Sequence, residues 1–380
     1  MKLKLLLICV IAFYSSFAQE LALVREVKDG PFGYINKSGE FVIKPQFEDA
    51  KNFSEGYAAA KSAEKWGFID TKGEWVIEPK YDKVKYFSSG YVLVSSNDIW
   101  NYINSKGETL KVPIAEKYFD FEDGVAFYKV NEKVGLFNTK GEVILEPTYT
   151  KILSFNNGHA KATDGSSWGI INNKGKEVVP IEYEEISDFS SIAIWAKKGE
   201  SFGLVTNGTF TPIAGIDKIW DFHPGSNLTY ARNSTKLIGF INTKGEWVIE
   251  PQFDKARAFF NGLAPVVKDK KWGYVNEKGE VVIDFQFKDA EIFSKDGLAP
   301  VKDKKWGFVD TNGKVVIPTQ YDINSGFGGI KAMFTGESEF GFRNGLARVK
   351  FNKKWGFLDT KGDLLGNKWF ENAELFTNND

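Results

Sequence analysis

The stretch Lys65-Trp66-Gly67-Phe68-Ile69-Asp70-Thr71-Lys72-Gly73-Glu74 decides the fold. Its first half alternates: Trp66, Phe68 and Asp70 share one face of an extended chain, and Gly67 and Ile69 take the other. A period of two marks a β-strand. Its second half closes a short hairpin turn, because glycine reaches a left-handed conformation without steric cost. Parallels stand at residues 271–280, 305–314 and 354–363. The stretch is therefore one copy of a repeat, and the repeat sets the architecture.

Aligned on the first glycine, the copies fall at Gly33, Gly67, Gly135, Gly169, Gly203, Gly239, Gly273, Gly307 and Gly356, with Asn101 in place of glycine in one unit. The spacing is 34 residues five times running, then 36, then 34 twice, then 49. Ten units are in register. The residue before the glycine is Trp at 66, 100, 168, 272, 306 and 355, and Phe32, Val134, Phe202 or Ile238 elsewhere. A second glycine follows six residues later in nine units, and Gly208 follows five later.

After the turn comes an alternating strand such as Trp75-Val76-Ile77, and then Pro45, Pro79, Pro113, Pro147 or Pro251. Proline cannot donate to a ladder, so it marks a strand end or edge. A further strand has Leu-Ala-x-Val character, as in Leu263-Ala264-Pro265-Val266. Each unit thus reads as about three short antiparallel strands. Helical repeats also have a 34-residue period. The turn glycine and the proline would break helices of that length, and the apolar spacing here is two.

The Lys-Trp-Gly-Phe-Ile-Asp-Thr-Lys-Gly-Glu pattern resembles the WG (also KWG) repeat family of bacterial β-repeat proteins. The resemblance covers essentially the whole chain beyond the first 18 residues. It implies a β-repeat fold, and it is compatible with a binding role while implying little about activity. Units around 100–130 and 199–237 depart from the pattern.

One repeat cannot bury a sheet face alone, but stacked neighbours can. A propeller has about four strands per blade and usually four to eight blades. With three strands read per unit and ten units, the expectation is an open, twisted or superhelical all-β array. Paired at the usual strand spacing, it would run on the order of 140 Å. A closed propeller-like ring is the alternative. The chain after residue 18 opens on Leu21-Ala22-Leu23-Val24, which resembles the Leu-Ala-x-Val strand. It ends just after Phe376, the position that precedes that strand, so either arrangement fits the phasing.

Residues 1–18 read as a secretory signal peptide. Lys2 and Lys4 precede the apolar stretch Leu5 to Phe13, and Ser16-Phe17-Ala18 gives small residues before a cleavage site near Ala18. The expected domains are this leader and a repeat array over 19–380. The location is extracytoplasmic: periplasmic, secreted or at the cell surface. No later stretch is long and apolar enough for a transmembrane helix. The only cysteine, Cys9, lies in the leader, so packing rather than disulfides must hold the array together. Lys and Arg number 49 against 50 Asp and Glu, so no basic footprint for nucleic acid stands out.

No catalytic or cofactor motif appears, and no His/Cys cluster has metal-ligand spacing. His159 and His223 lie in different units. The carboxylates Asp70, Asp310, Asp359, Glu78, Glu146 and Glu250 recur at repeat positions. Recurrence points to turn capping rather than to a catalytic pair. The expectation is a non-catalytic scaffold without a cofactor, binding a protein or a cell-envelope glycan. A structural cell-surface spacer is one alternative, and a glycan-active hydrolase with a carboxylate pair is another.

The repeated tryptophans read as packing, so specificity is sought where the repeat breaks. Trp195 and Trp220 are off the main pattern. The long step carries an insertion around 324–338 with Phe327, Met333 and Phe334. These five are the candidate binding residues. A second irregularity runs over residues 213–234 and reads as a joint or as drift in a tolerant loop.

Overall fold

The computed structural model describes residues 20–323 and 341–377. Residues 1–18, read above as a signal peptide, and the insertion residues Phe327, Met333 and Phe334 lie outside the described residues. The described chain is all-β with no α-helix.

Unit 2 shows the plan. A short strand, Asp49–Ala50, pairs with a Leu-Ala-type strand, Ala58–Ser62. That strand pairs with the Trp-Gly strand Lys65–Ile69, which pairs in turn with a long strand, Trp75–Tyr81. All pairings are antiparallel. The long strand then runs on: one residue, Asp82, separates it from Lys83–Val84, the short strand of unit 3. Each unit is thus a sheet of four strands rather than the expected three. The added strand is two residues long in most units, too short for periodicity to reveal.

Ten tandem sheets follow, and none closes on itself. Seven internal sheets have all four strands. Unit 3 has three, and unit 10 keeps the strands Leu346–Phe351 and Lys354–Asp359, with single bridges on either side. The prolines Pro45, Pro79, Pro147 and Pro251 lie inside the long edge strands, at a bulge, rather than at their ends.

The described residues hold ten hydrophobic cores, and each lies between successive units. Phe68, Ile77 and Tyr81 of unit 2, for example, pack against Phe87, Val92 and Val94 of unit 3. Side chains of this size contribute roughly 1.5–3 kcal/mol each when fully buried. The tenth core joins the two ends of the chain: Ala22, Val24 and Ile35 pack with Phe357, Phe370 and Ala373. The sheet of unit 1 is completed from the far end of the chain, since Asn372–Ala373 pairs with Ala22–Arg25. Glu371 N–H donates to Arg25 O (2.8 Å), and Glu374 N–H donates to Leu23 O (2.8 Å).

The array is therefore a closed ring, and the open superhelix is replaced by its alternative. The physical reason is that an open array leaves one apolar face at each end. Here the last unit covers the face of the first.

The Trp-Gly glycine has a packing role. A Cβ on Gly67 would lie 2.4 Å from Ile77 O and 2.7 Å from Pro79 N. Gly239 and Gly307 meet the same approach from Ile249 and Ile317. The bulged long strand crosses so close that only glycine leaves room. The turn that follows is capped as the sequence implies: Asp70 Oδ1 accepts from Lys72 and Glu74 N–H (2.9 and 3.0 Å), and Gly73 takes φ +85°.

Candidate functional site

Strand direction gives the ring two faces. One carries the turns at 55–56 and 71–73 and their equivalents, and the other carries the hairpin tips at 63–64 and theirs. On the first face the turns are linked from unit to unit. The Glu55 carboxylate accepts from Ser89 and Gly90 N–H (2.6 and 2.8 Å). Ser89 Oγ accepts from Gly124 N–H (3.0 Å), and Asp123 Oδ2 from Gly158 N–H (2.7 Å). Beyond the middle of the chain, Asn261 Nδ2 donates to Ser294 O (2.6 Å) and Asp296 accepts from Gly345 N–H (3.3 Å). Asn344 Nδ2 reaches Glu20 (3.2 Å) across the closure.

Among the described residues, no such bond joins the turn at 190–192 of unit 6 to the turn of unit 7, and the unit 7 loop is linked onward to unit 8 through Ser226 and Glu277. The tight turn of the other units is replaced by Ser190-Ser191-Ile192 in unit 6 and by a longer loop in unit 7. There, Ile192, Pro224 to Leu228, Val248 and Glu277 line an open groove of about 610 Å³. Ser226 Oγ and the Glu277 carboxylate hydrogen-bond across it at 2.6 Å.

The segment leading into the groove brings Trp195 and Trp220 into one neighbourhood. Trp195 is half-buried on the strand Ile194–Lys198, and its Nε1–H donates to Asp221 Oδ1 at 2.6 Å. Trp220, the residue before Asp221, stacks on Tyr230 (ring centroids 4.7 Å, 21°), and the Lys218 ammonium lies 4.8 Å from its ring centroid. Asp221 keeps solvent access, yet protein encloses it. Desolvation, followed by the charge of Asp188, raises its pKa. Asp188 itself pairs with Lys161 Nζ (2.8 Å). His159 stacks on Phe189 (ring centroids 3.6 Å, 8°). His223 is half-buried with its pKa lowered by burial. Its Nδ1 accepts from Gly225 N–H (3.3 Å), which holds the groove loop.

The segment has a fixed indole, a carboxylate that orients it and, five residues on from Asp221, the Ser226 hydroxyl bonded to the Glu277 carboxylate. Such a set can present an apolar ring face beside directional hydrogen-bonding groups. Both acidic groups at its centre are engaged, Asp188 by Lys161 and Asp221 by Trp195. Asp188, Asp221, Ser226 and Glu277 escaped the sequence reading. The repeat places Asp188 where other units carry Asn52 or Asp120, so nothing in the residue type sets it apart. The signal that could have found the site is the loss of the two-residue turn at 190–192 and 224–228.

Among the described residues, no group of three His, Asp or Glu side chains is arranged to hold a metal ion. No helix among them is long and apolar enough to cross a membrane.

A comparison with curated proteins gives no match. Solved structures with similar folds include a eukaryotic initiation factor, at 10% identity over 95% of this chain and 98% of that one, with a TM-score of 0.47. BamB from Moraxella catarrhalis is 10% identical over 78% of this chain and 90% of its own, with a TM-score of 0.31. Hsv2p from Kluyveromyces lactis is 8% identical over 60% and 91%, with a TM-score of 0.28. The WG containing repeat matches residues 32–66, 66–100, 135–165, 168–200, 238–272, 272–305, 306–323 and 340–355. The unmatched stretches 101–134 and 201–237 are those where the sequence departs from the pattern. With more than half of its length matched, the chain belongs to the family of proteins built from the WG containing repeat.

Proposed function

We propose that the protein is an extracytoplasmic, non-catalytic binding scaffold whose working surface is the broken rim of units 6 and 7. It holds a glycan or a protein segment there. The observation that carries this reading is the interruption of the turn-to-turn relay. It leaves a groove lined by the loop Pro224 to Leu228, which follows Trp220 and the carboxylate of Asp221 that anchors the Trp195 indole. Aromatic faces with fixed polar neighbours suit sugar rings and peptide side chains alike. The leader over residues 1–18 supports the location.

Binding is preferred to the alternatives for physical reasons. A ring whose ends join lacks the length that a spacer needs. A hydrolase needs one carboxyl acid and one carboxylate facing the scissile bond. Here both central carboxylates are occupied by protein donors.

The test is a glycan array and an envelope-extract pull-down with the mature chain. Trp195→Ala and Glu277→Gln should each weaken the captured ligand's binding at least tenfold, while Trp306→Ala, on the repeat pattern, leaves it unchanged. Equal binding by all three variants would remove the site, and turnover of a bound glycan would remove the non-catalytic reading.

A further inference from the structure

Unit 3 leaves a sheet edge open. Its strands are Lys83–Val84, Val92–Ser96 and Ile99–Ile103, and the third is outermost. The chain closes only the far end of that edge: Ile103 bridges Thr109, and Leu110 N–H donates to Tyr102 O (2.9 Å). In an antiparallel pair, residues directly opposite each other either exchange hydrogen bonds or both point away. Trp100 lies opposite Ser95, and Ser95 O accepts from Asp82 N–H (2.8 Å) on the other side of its strand. Trp100 N–H and C=O therefore point outward. In unit 10 the equivalent Trp355 exchanges two such bonds with Phe370 (2.8 and 2.7 Å). Among the described residues, no strand pairs with Trp100 on that side.

The same unit carries two isoleucines at positions where the repeat is mostly polar. Ile99 stands where units 2, 4, 8, 9 and 10 have lysine, and Ile114 where seven other units have Gln, Lys, Thr or Glu. They are the two most exposed large hydrophobic side chains among the described residues, at 65% and 95%. In unit 8 the equivalent positions are neighbours, since Lys271 Nζ donates to Gln286 O (3.2 Å). The outer strands of other units carry proline, as at Pro45, Pro79, Pro147, Pro180, Pro251 and Pro318. The outer strand of unit 8 lacks it but keeps Lys271 and Gln286 at the two positions, whereas Ile99–Ile103 has neither safeguard. Proline and charge on an edge discourage pairing with another chain, and an apolar edge without them invites it.

We propose that the open edge of unit 3 is a homodimer interface, in which residues 99–101 pair antiparallel with the same residues of a second copy and Ile99 and Ile114 are covered. The edge is complementary to itself. About a twofold axis beside Trp100, each Trp100 N–H meets the other Trp100 C=O, so one residue supplies both halves of the pair. Charge neither opposes a second copy nor selects a charged partner. Asp98 is paired with Lys83 (2.9 Å), the residues Lys106, Glu108, Lys111, Glu116 and Lys117 that follow are of both signs, and the whole chain has a formal net charge of −1. Among the described residues the ring has one such edge, so a twofold pair leaves none free and growth stops at two. Asn101 obstructs the chain's own bulged strand, which would have to cross over it. A strand lying beside Trp100 in the plane of the sheet does not cross it. The interface lies in a different unit from the groove of units 6 and 7, so each stands or falls alone.

Sedimentation velocity of the chain from residue 19, taken up to about 200 µM, reads the association. The parent should form a reversible dimer. The double variant Ile99→Lys, Ile114→Lys installs the residues that unit 2 has at these positions, Lys65 and Lys80, and should weaken dimerisation at least tenfold. The double variant Val281→Lys, Val315→Lys replaces two valines, each 50% exposed, on the outer strands of units 8 and 9 and should dimerise as the parent does. Circular dichroism and the urea midpoint confirm that both variants are folded. Hydrogen exchange reads the edge itself: the Trp100 amide should exchange more slowly in the dimer than in the dilute monomer. A parent that stays monomeric, equal loss in both double variants, or a dimer whose Trp100 amide exchanges as in the monomer would overturn the proposal.

Discussion

Units 2 and 3 carry the same tryptophan and differ at the next residue. In unit 2, Trp66 is followed by Gly67, and the long strand Trp75–Tyr81 crosses over it. In unit 3, Trp100 is followed by Asn101, and the sheet stops at three strands. Only the bridge Ile103↔Thr109 remains where a full strand pairs in unit 2. A side chain at this position denies the crossing strand its approach. The glycine is a clearance for a neighbouring backbone, and its loss costs the unit one strand without opening the ring. A second contrast has a different origin. Units 2 to 5 and 8 to 10 join their turns by side-chain hydrogen bonds, whereas none of the described residues joins the turn of unit 6 to that of unit 7. The first kind of irregularity is absorbed, whereas the second leaves a groove.

The largest expected effect is at the clearance. Gly67→Ala places a Cβ against the backbone of Ile77 and Pro79, which cannot yield as a flexible side chain would. Overpacking of this kind costs about 3 kcal/mol. A urea midpoint within error of the parent would break the account of units 2 and 3.

Next comes the relay. Asp123→Ala removes the carboxylate that accepts from Gly158 N–H and should cost about 1–2 kcal/mol. Ser191 occupies the same repeat position in the broken arc, and Ser191→Ala should change stability by no more than about 0.5 kcal/mol. Equal losses in chemical denaturation would show that the relay does not distinguish the two arcs.

A smaller effect concerns pH. The ordinary value for the His223 ring is 6.5, and burial lowers it in the fold. A depressed histidine favours the folded state when neutral. Its contribution is full above pH 6.5 and is lost as the pH falls through the lower folded value. The melting temperature should therefore drop more steeply below pH 6.5 in the parent than in His223→Gln. Parallel curves would count against His223 as the support of the groove loop.

The smallest effect is at Asn101, which is exposed and has no strand across it. Asn101→Ala should shift stability by less than about 0.5 kcal/mol. A loss comparable to that of Gly67→Ala would mean that unit 3 depends on this side chain in a way its sheet does not reveal.

Much of the fold was legible in the residues. Alternation in Trp66 to Asp70 and the turn at Gly73 gave the strands and hairpins. The 34-residue spacing gave ten units, and the departures near 100–130 and 199–237 are among the stretches that the WG repeat does not match. The two-residue strands escaped notice because a period cannot be read from two residues. Of the candidate binding residues, Trp195 and Trp220 lie together at units 6 and 7. The chemistry around Trp195 comes from Asp221, 26 positions away. Ser226 meets Glu277 across 51 positions. Neither pair leaves a local signature, because the partners belong to different units.

By itself the sequence determined the repeat: which residues alternate, where each turn falls, and which units break the rule. These are local properties, set by side-chain period and backbone freedom within a few residues. The tertiary structure alone decided that the ring closes. Closure depends on the angle between successive sheets, summed over ten units until Asn372–Ala373 meets Ala22–Arg25. That angle is set by how ten cores pack, and no single stretch of sequence carries it.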